Sequence, residues 1–161
     1  MMIRTLMAAT AIALAATPSI AQIMAPGDYV ATAGASDLYE RRSSELVLQS
    51  TQDPAIRQFA TMMIAHHTKS TKDVVAAARQ ARVKAPPLKL MPAQVTMVTE
   101  LKAVKGSARD KAYVAQQRQA HDQALALHKA YAAEGTVPAL RAAAGKVVTV
   151  VQRHIDMLSK M

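Results

Sequence analysis

Apolar residues return every three or four positions through most of this chain, and no useful stretch alternates apolar with polar residues as a half-buried strand would. Between Asp53 and Arg82 the stripe Ile56, Ala60, Met63, His67, Thr71, Val74, Ala78 runs down one helical face. Val114, Gln117, His121, Leu125, His128 form a second stripe, and Leu140, Ala144, Val147, Val151, His154, Leu158 a third. Each stripe turns an imidazole inward. Helix punctuation sets the bounds. Pro26-Gly27-Asp28 precedes a first helix, with Asp28 as its cap, that runs to about Ser50. Asp53-Pro54 reads as an N-cap followed by proline at the first helical position, opening a helix to about Arg82. Ala85-Pro86-Pro87 breaks that helix, and the chain to Pro92 is a loop. A short helix from Pro92 to Val104 ends near Gly106. Ser107 to Glu134 is the next long helix, stopped by Gly135, and Thr136-Val137-Pro138 opens a last one to about Ser159.

Four long helices with short links at 51–53 and 135–137 force antiparallel neighbours. The pattern predicts an all-α fold, an up-down four-helix bundle with an extra short helix between the two hairpins. The core positions hold Ala, Val, Leu and Met, with one Phe and no Trp in the whole chain, so the helices can approach closely.

The first 21 residues stand apart from this pattern. Arg4, the apolar run Leu6 to Ala16 and the small-x-small triplet Ser19-Ile20-Ala21 predict a secretory signal peptide cleaved after Ala21. The run is shorter than the ~20 residues a membrane-spanning helix needs. The domain is then expected over 22–161, soluble and periplasmic. The chain has no cysteine, so export adds no disulfide and thiolates drop out as ligands or nucleophiles. The net charge of +9 is spread over every helix without a basic run, which with one Phe and no Trp argues against a nucleic-acid platform. Weak contact with an anionic envelope surface fits the charge.

The inward histidines carry the candidate chemistry. Glu40 lies 13 residues before Asp53 and His67 lies 14 after it, so both sit ~20 Å from the first turn. His121 lies 15 residues before Thr136 and His154 lies 18 after it, one turn apart in level. Glu40, His67, His121 and His154 are therefore expected in one layer, one from each long helix. Ser36, Ser43 and Ser44 leave room around the carboxylate. Glu45 falls below the layer and reads as surface. His66 lies at the edge of its stripe as a flanking residue, and His128 can form a separate polar spot. One carboxylate and three imidazoles suit a divalent transition metal, zinc, copper or iron. Inward Met63 and Met157 are core filler, or a bias toward copper if they line the site.

These residues resemble a known family. Glu40, Phe59-Ala60 with Met63, His67-Thr68, Gly106 followed by Asp110 and Tyr113, His121 with Gln123, and His154 are similar to the bacterial domain-of-unknown-function 4142 family. The similarity covers about Asp28 to Leu158. Where the family has an acidic-His pair in the second helix this chain has His66-His67, and Arg109 stands where the family has an aromatic residue. The resemblance implies an exported protein with a ferritin-like helical bundle and implies no activity. Glu-x-x-His, Gly-x-Ser-x-Gly, His-Glu-x-x-His and a phosphate loop do not occur, so no catalytic or organic-cofactor residue is singled out. Two functions lead: metal binding through the Glu/His layer, or a metal-free envelope-stress or adaptor protein whose histidines hold the core; an enzymatic role would have to rest on an open metal position.

Overall fold

The computed structural model describes residues 23–161, so the leader, its expected cleavage after Ala21 and Gln22 lie outside the described residues. Among the described residues there are five helices and no strand: α1 (Pro26–Leu48), α2 (Pro54–Gln80), α3 (Pro92–Ala103), α4 (Gly106–Glu134) and α5 (Pro138–Leu158). No helix among them is long and apolar enough to cross a membrane.

Local chemistry explains the boundaries. Asp53 caps α2 as expected, its Oδ1 accepting from the N–H of Ala55 at 2.8 Å and of Ile56 at 3.2 Å. Asp28 does not cap α1. The helix starts earlier, with Pro26 in its first turn and Ala25 as a cap that makes no side-chain bond. Asp28 sits inside that first turn, where a carboxylate meets the positive end of the helix dipole. Helix α4 begins at Gly106, whose φ of 54° is the left-handed conformation that favours glycine. Its N–H donates to Ser50 Oγ at 3.1 Å. Gly135 ends α4, and a Cβ there would lie 2.6 Å from the Tyr131 carbonyl oxygen.

Side-chain pairs fix the helix directions. Tyr29 meets His128, Ser43 meets Gln117 and Ser44 meets Tyr113, so α1 and α4 run antiparallel. Helix α2 pairs with α1 through His67 and Asp37, and with α5 through His66 and His154. Tyr29, Val30 and Ala33 share an apolar cluster with Val74, Ala78, Leu140 and Val147. Val47 shares a second with Ile56, Phe59, Tyr113 and Leu158. Each of the four pairs α1–α2, α4–α5, α1–α4 and α2–α5 is antiparallel, so α2 and α4 point the same way.

That arrangement corrects the simple up-down order. The short links make the two hairpins, but the chain between them crosses the length of the bundle. Lys84 lies beside Gly27 and Leu88 against Gly34. Val98 packs with Tyr39 and Ala120, and Leu101 with Val47. The physical reason is reach. Residues 81–91, kept from helix by Pro86 and Pro87, can extend ~3.3 Å each, and the 12 residues of α3 add ~18 Å. Together they return the chain along the ~40 Å of α2.

Arg109 holds this crossover in place. Its buried guanidinium donates from Nε to the carbonyls of Leu101 (2.9 Å) and Val104 (2.8 Å), and from Nη1 to that of Leu46 (2.7 Å). One cation thus ties the end of α3 to the end of α1. Arg109→Met keeps the bulk but leaves the Leu101 and Val104 carbonyls without their donor, while Leu46 keeps the N–H of Gln49. It is expected to lower unfolding free energy by roughly 2–4 kcal/mol in urea titration, with helical circular dichroism retained. A loss within ~0.5 kcal/mol, the range of ordinary surface changes, would show that the clamp carries no stability.

Candidate metal centre

The two apolar clusters are separated by a polar layer. Asp37 and Glu40 from α1, His67 from α2, Gln117 and His121 from α4 and His154 from α5 are all buried there. One ring nitrogen of each of His67, His121 and His154 lies within 4.8 Å of the others. The ring centroids are 5.2 Å (His121–His154), 5.4 Å (His67–His154) and 5.7 Å (His67–His121) apart. Phe59 closes the layer from one side, its ring centroid 6.2 Å from His121 and 6.3 Å from His154.

Outer partners orient the rings. His67 Nδ1 is 2.8 Å from Asp37 Oδ1, and Thr71 donates its hydroxyl to the other oxygen at 2.9 Å. His121 Nδ1 is 2.8 Å from the Gln117 carbonyl, which can only accept, so this nitrogen carries a hydrogen. A neutral His121 then presents a lone pair at Nε2, 3.2 Å from His154 Nδ1. His154 Nε2 is 2.8 Å from His66 Nδ1, and the two rings stack at 12°. If His154 donates to His66, its Nδ1 lone pair faces that of His121, and the two repel unless a cation lies between them. If His66 donates instead, His154 Nδ1–H bonds His121 Nε2 and the chain of rings is satisfied without one. In either state His67 Nε2 and both Glu40 oxygens are buried without a hydrogen-bond partner.

Electrostatics separates the rings. Burial alone would lower the pKa of His67, but the hydrogen bond and charge of Asp37, with Glu40 behind, raise it above its ordinary value. Burial lowers His121, with Glu40 opposing. Burial, and the charge on His67, His121 and His66, push His154 down to about 2. Imidazoles that stay neutral keep lone pairs for a metal.

The expected residues come together unevenly. His67, His121 and His154 converge. Glu40 is fully buried in the same layer, with its Oε1 3.6 Å from Nδ1 of His121, so it backs that ring rather than joining the three-nitrogen group. The cause is the turn. Helix α1 ends at Leu48 and α2 starts at Pro54, which brings Asp37, one turn before Glu40, level with His67. Asp37 was missed by counting from Asp53, although its place three residues before Glu40 puts it on the same face. Glu45 is exposed beside Arg42, as expected. His66 is exposed and flanking as expected, but joins the network through His154. Met63 is fully buried in the apolar cluster with Phe59, and Met157 packs against its edge.

His128 forms its own polar spot, its Nδ1 2.9 Å from Tyr29 Oη, with Tyr29 stacked on Tyr131 at 3.8 Å. Burial, which also holds the Tyr29 hydroxyl well above its usual range, lowers His128 to about 4.

The chain belongs to the DUF4142 family, a domain of unknown function, whose profile matches residues 9–161. No curated protein matches. Among solved structures the chain is similar to that of a DUF305 protein from Streptomyces coelicolor inferred to be secreted, with a TM-score of 0.64 and 15% identity over 84% of this chain and 89% of that one. At that identity the likeness concerns the fold alone.

The depressed His128 sets a pH dependence. A histidine near 6.5 when unfolded and about 4 when folded leaves stability intact above pH 6.5 and removes it as pH falls toward 4, because the unfolded chain binds the extra proton. His154 acts in the same direction, while raised His67 contributes the opposite sign. Replacing His128 with Gln is expected to flatten the loss between pH ~6.5 and ~4 by on the order of 3 kcal/mol at most, read from urea unfolding at a series of pH values. Equal slopes in both proteins would show that His128 does not titrate on unfolding.

Proposed function

We propose that this protein is an exported, periplasmic metal-binding bundle in which His67, His121 and His154 hold one divalent transition metal, with Glu40 supplying the compensating negative charge. The observation that carries the reading is the pair of unpartnered groups beside the histidine trio. A buried carboxylate with both oxygens unbonded is costly when ionised, by several kcal/mol, unless a cation offsets it. A buried imidazole nitrogen without a partner is costly as well. One bound cation addresses both. The outer bonds support it: a carboxylate on Nδ1 of His67 and a carbonyl on Nδ1 of His121 are the partners that orient metal-bound histidines. Nitrogen and oxygen donors without thiolate suit zinc, copper(II) or iron(II). In this reading the leader ends at Ala21, residues 22–161 form one domain, and the lengthwise crossover makes the bundle ferritin-like, since that class has one such connection. The donor set lacks the Glu-x-x-His pairs of di-iron bundles, so the role is binding rather than oxygen chemistry.

A second reading has its own observation. The run His66–His154–His121 can satisfy itself with hydrogen bonds and no metal. The histidines would then hold the core of an envelope-stress or adaptor protein.

Thermal melting separates the two. Bound metal stabilises by mass action, about 2.7 kcal/mol at a hundredfold excess over Kd. Zinc or copper is therefore expected to raise Tm by several degrees near neutral pH, and much less in mild acid, where protons compete for the nitrogens. His67→Ala is expected to abolish the increment, and His66→Ala to keep most of it. Glu40→Gln is expected to weaken it. Identical melting with chelator and with metal at neutral pH would give first place to the structural reading.

A further inference from the structure

A half-enclosed cavity of about 150 Å³ lies between α2 and α5, with His67 in its inner wall. Ala143, Val147, Val150 and Val151 from α5 supply an apolar side. Two observations bear on what it takes. An aliphatic cavity of this size is large enough for one six-membered ring or a branched chain of similar bulk. At the rim Lys69 is paired with Asp73, but Lys146 forms no salt bridge among the described residues. An apolar pocket with one uncompensated ammonium at its rim has the chemistry of a small-molecule site, where apolar walls supply affinity and a few polar groups set orientation.

We propose that this cavity binds a small organic monoanion, a carboxylate on a short aromatic or branched apolar body. The body packs on the valines of α5, and the carboxylate pairs with the Lys146 ammonium at the rim. The cavity is too small for a lipid acyl chain, whose length exceeds it several-fold. His67 borders the cavity, but the α5 valines and Lys146 are not among the three histidines, so the proposal does not require an ion there.

Methyl NMR of the chelator-treated protein tests this with benzoate as the probe and benzyl alcohol as its uncharged counterpart. Benzoate is expected to give saturable shifts centred on the methyls of Val147, Val150 and Val151, and to bind more tightly than benzyl alcohol. Lys146→Met, a change at an exposed side chain, is expected to weaken benzoate by roughly fivefold and leave benzyl alcohol unchanged. Val150→Phe, which fills the cavity, is expected to remove both, with helical circular dichroism retained. Unmoved valine methyls would overturn the site. Shifts scattered over the basic surface without saturation would do the same, since they would reflect the net charge alone. Equal binding of the two probes, unaffected by Lys146→Met, would overturn the anion assignment. Because the metal reading is decided by melting with zinc or copper, failure of either experiment leaves the other standing.

Discussion

Two carboxyl groups enter the bundle on consecutive turns of α1, and much of the surrounding structure answers to them. Asp37 finds an imidazole and a hydroxyl, His67 and Thr71, both from α2. Glu40 finds only the edge of His121. In a core otherwise built from small aliphatic residues, each such group must be bonded, neutral or offset by a cation. That requirement links all four long helices in one layer. Asp37 and Glu40 stand on α1, His67 on α2, His121 on α4 and His154 on α5. It also accounts for the neighbours of the layer, since Gln117 bonds Ser43 and Tyr113 bonds Ser44 across the same interface. Polar residues that would weaken an ordinary core here set the relative height of the helices, because each bond holds only at one register.

The apolar clusters enclose this layer on either side. Phe59 and Met63 lie against it from one end, and Val74 and Val151 from the other. Water is kept from the ring nitrogens of His121 and His154, which are fully buried. The same burial keeps His154 neutral far below physiological pH. A binding centre and a structural network need the same partners, and they differ in what remains unpaired. Here the remainder is one imidazole nitrogen and one carboxyl group.

The crossover has a separate logic. Prolines 86 and 87 deny the chain a helix directly after α2, and α3 then lies over the α1–α4 seam, with Val98 and Leu101 buried in it. Met91 and Val95 stay exposed because only one face of this segment meets the bundle. Arg109 occupies a position where an apolar residue would leave the Leu101 and Val104 carbonyls at the end of α3 without a donor.

Helix number, helix type and the inward direction of His67, His121 and His154 were legible in the sequence, because helical periodicity and capping are local and each stripe repeats several times. The cap at Asp53 and the stop at Gly135 are as local as that, and both hold. Other features could not be read that way. The direction of α4 depends on where a 25-residue connection ends, and nothing within that segment records the far end of the bundle. The pairing of His67 with Asp37 rather than Glu40 depends on how many residues the first turn takes, and a shift of one helical turn costs nothing in the pattern. The stack of His66 on His154 joins residues 88 apart in the chain, and an exposed edge position gives no periodic sign of it. Sequence determined what each helix buries, since that follows from side chains a few residues apart. Only tertiary packing decided which buried groups meet, since that follows from the relative height and direction of helices that share no local contact.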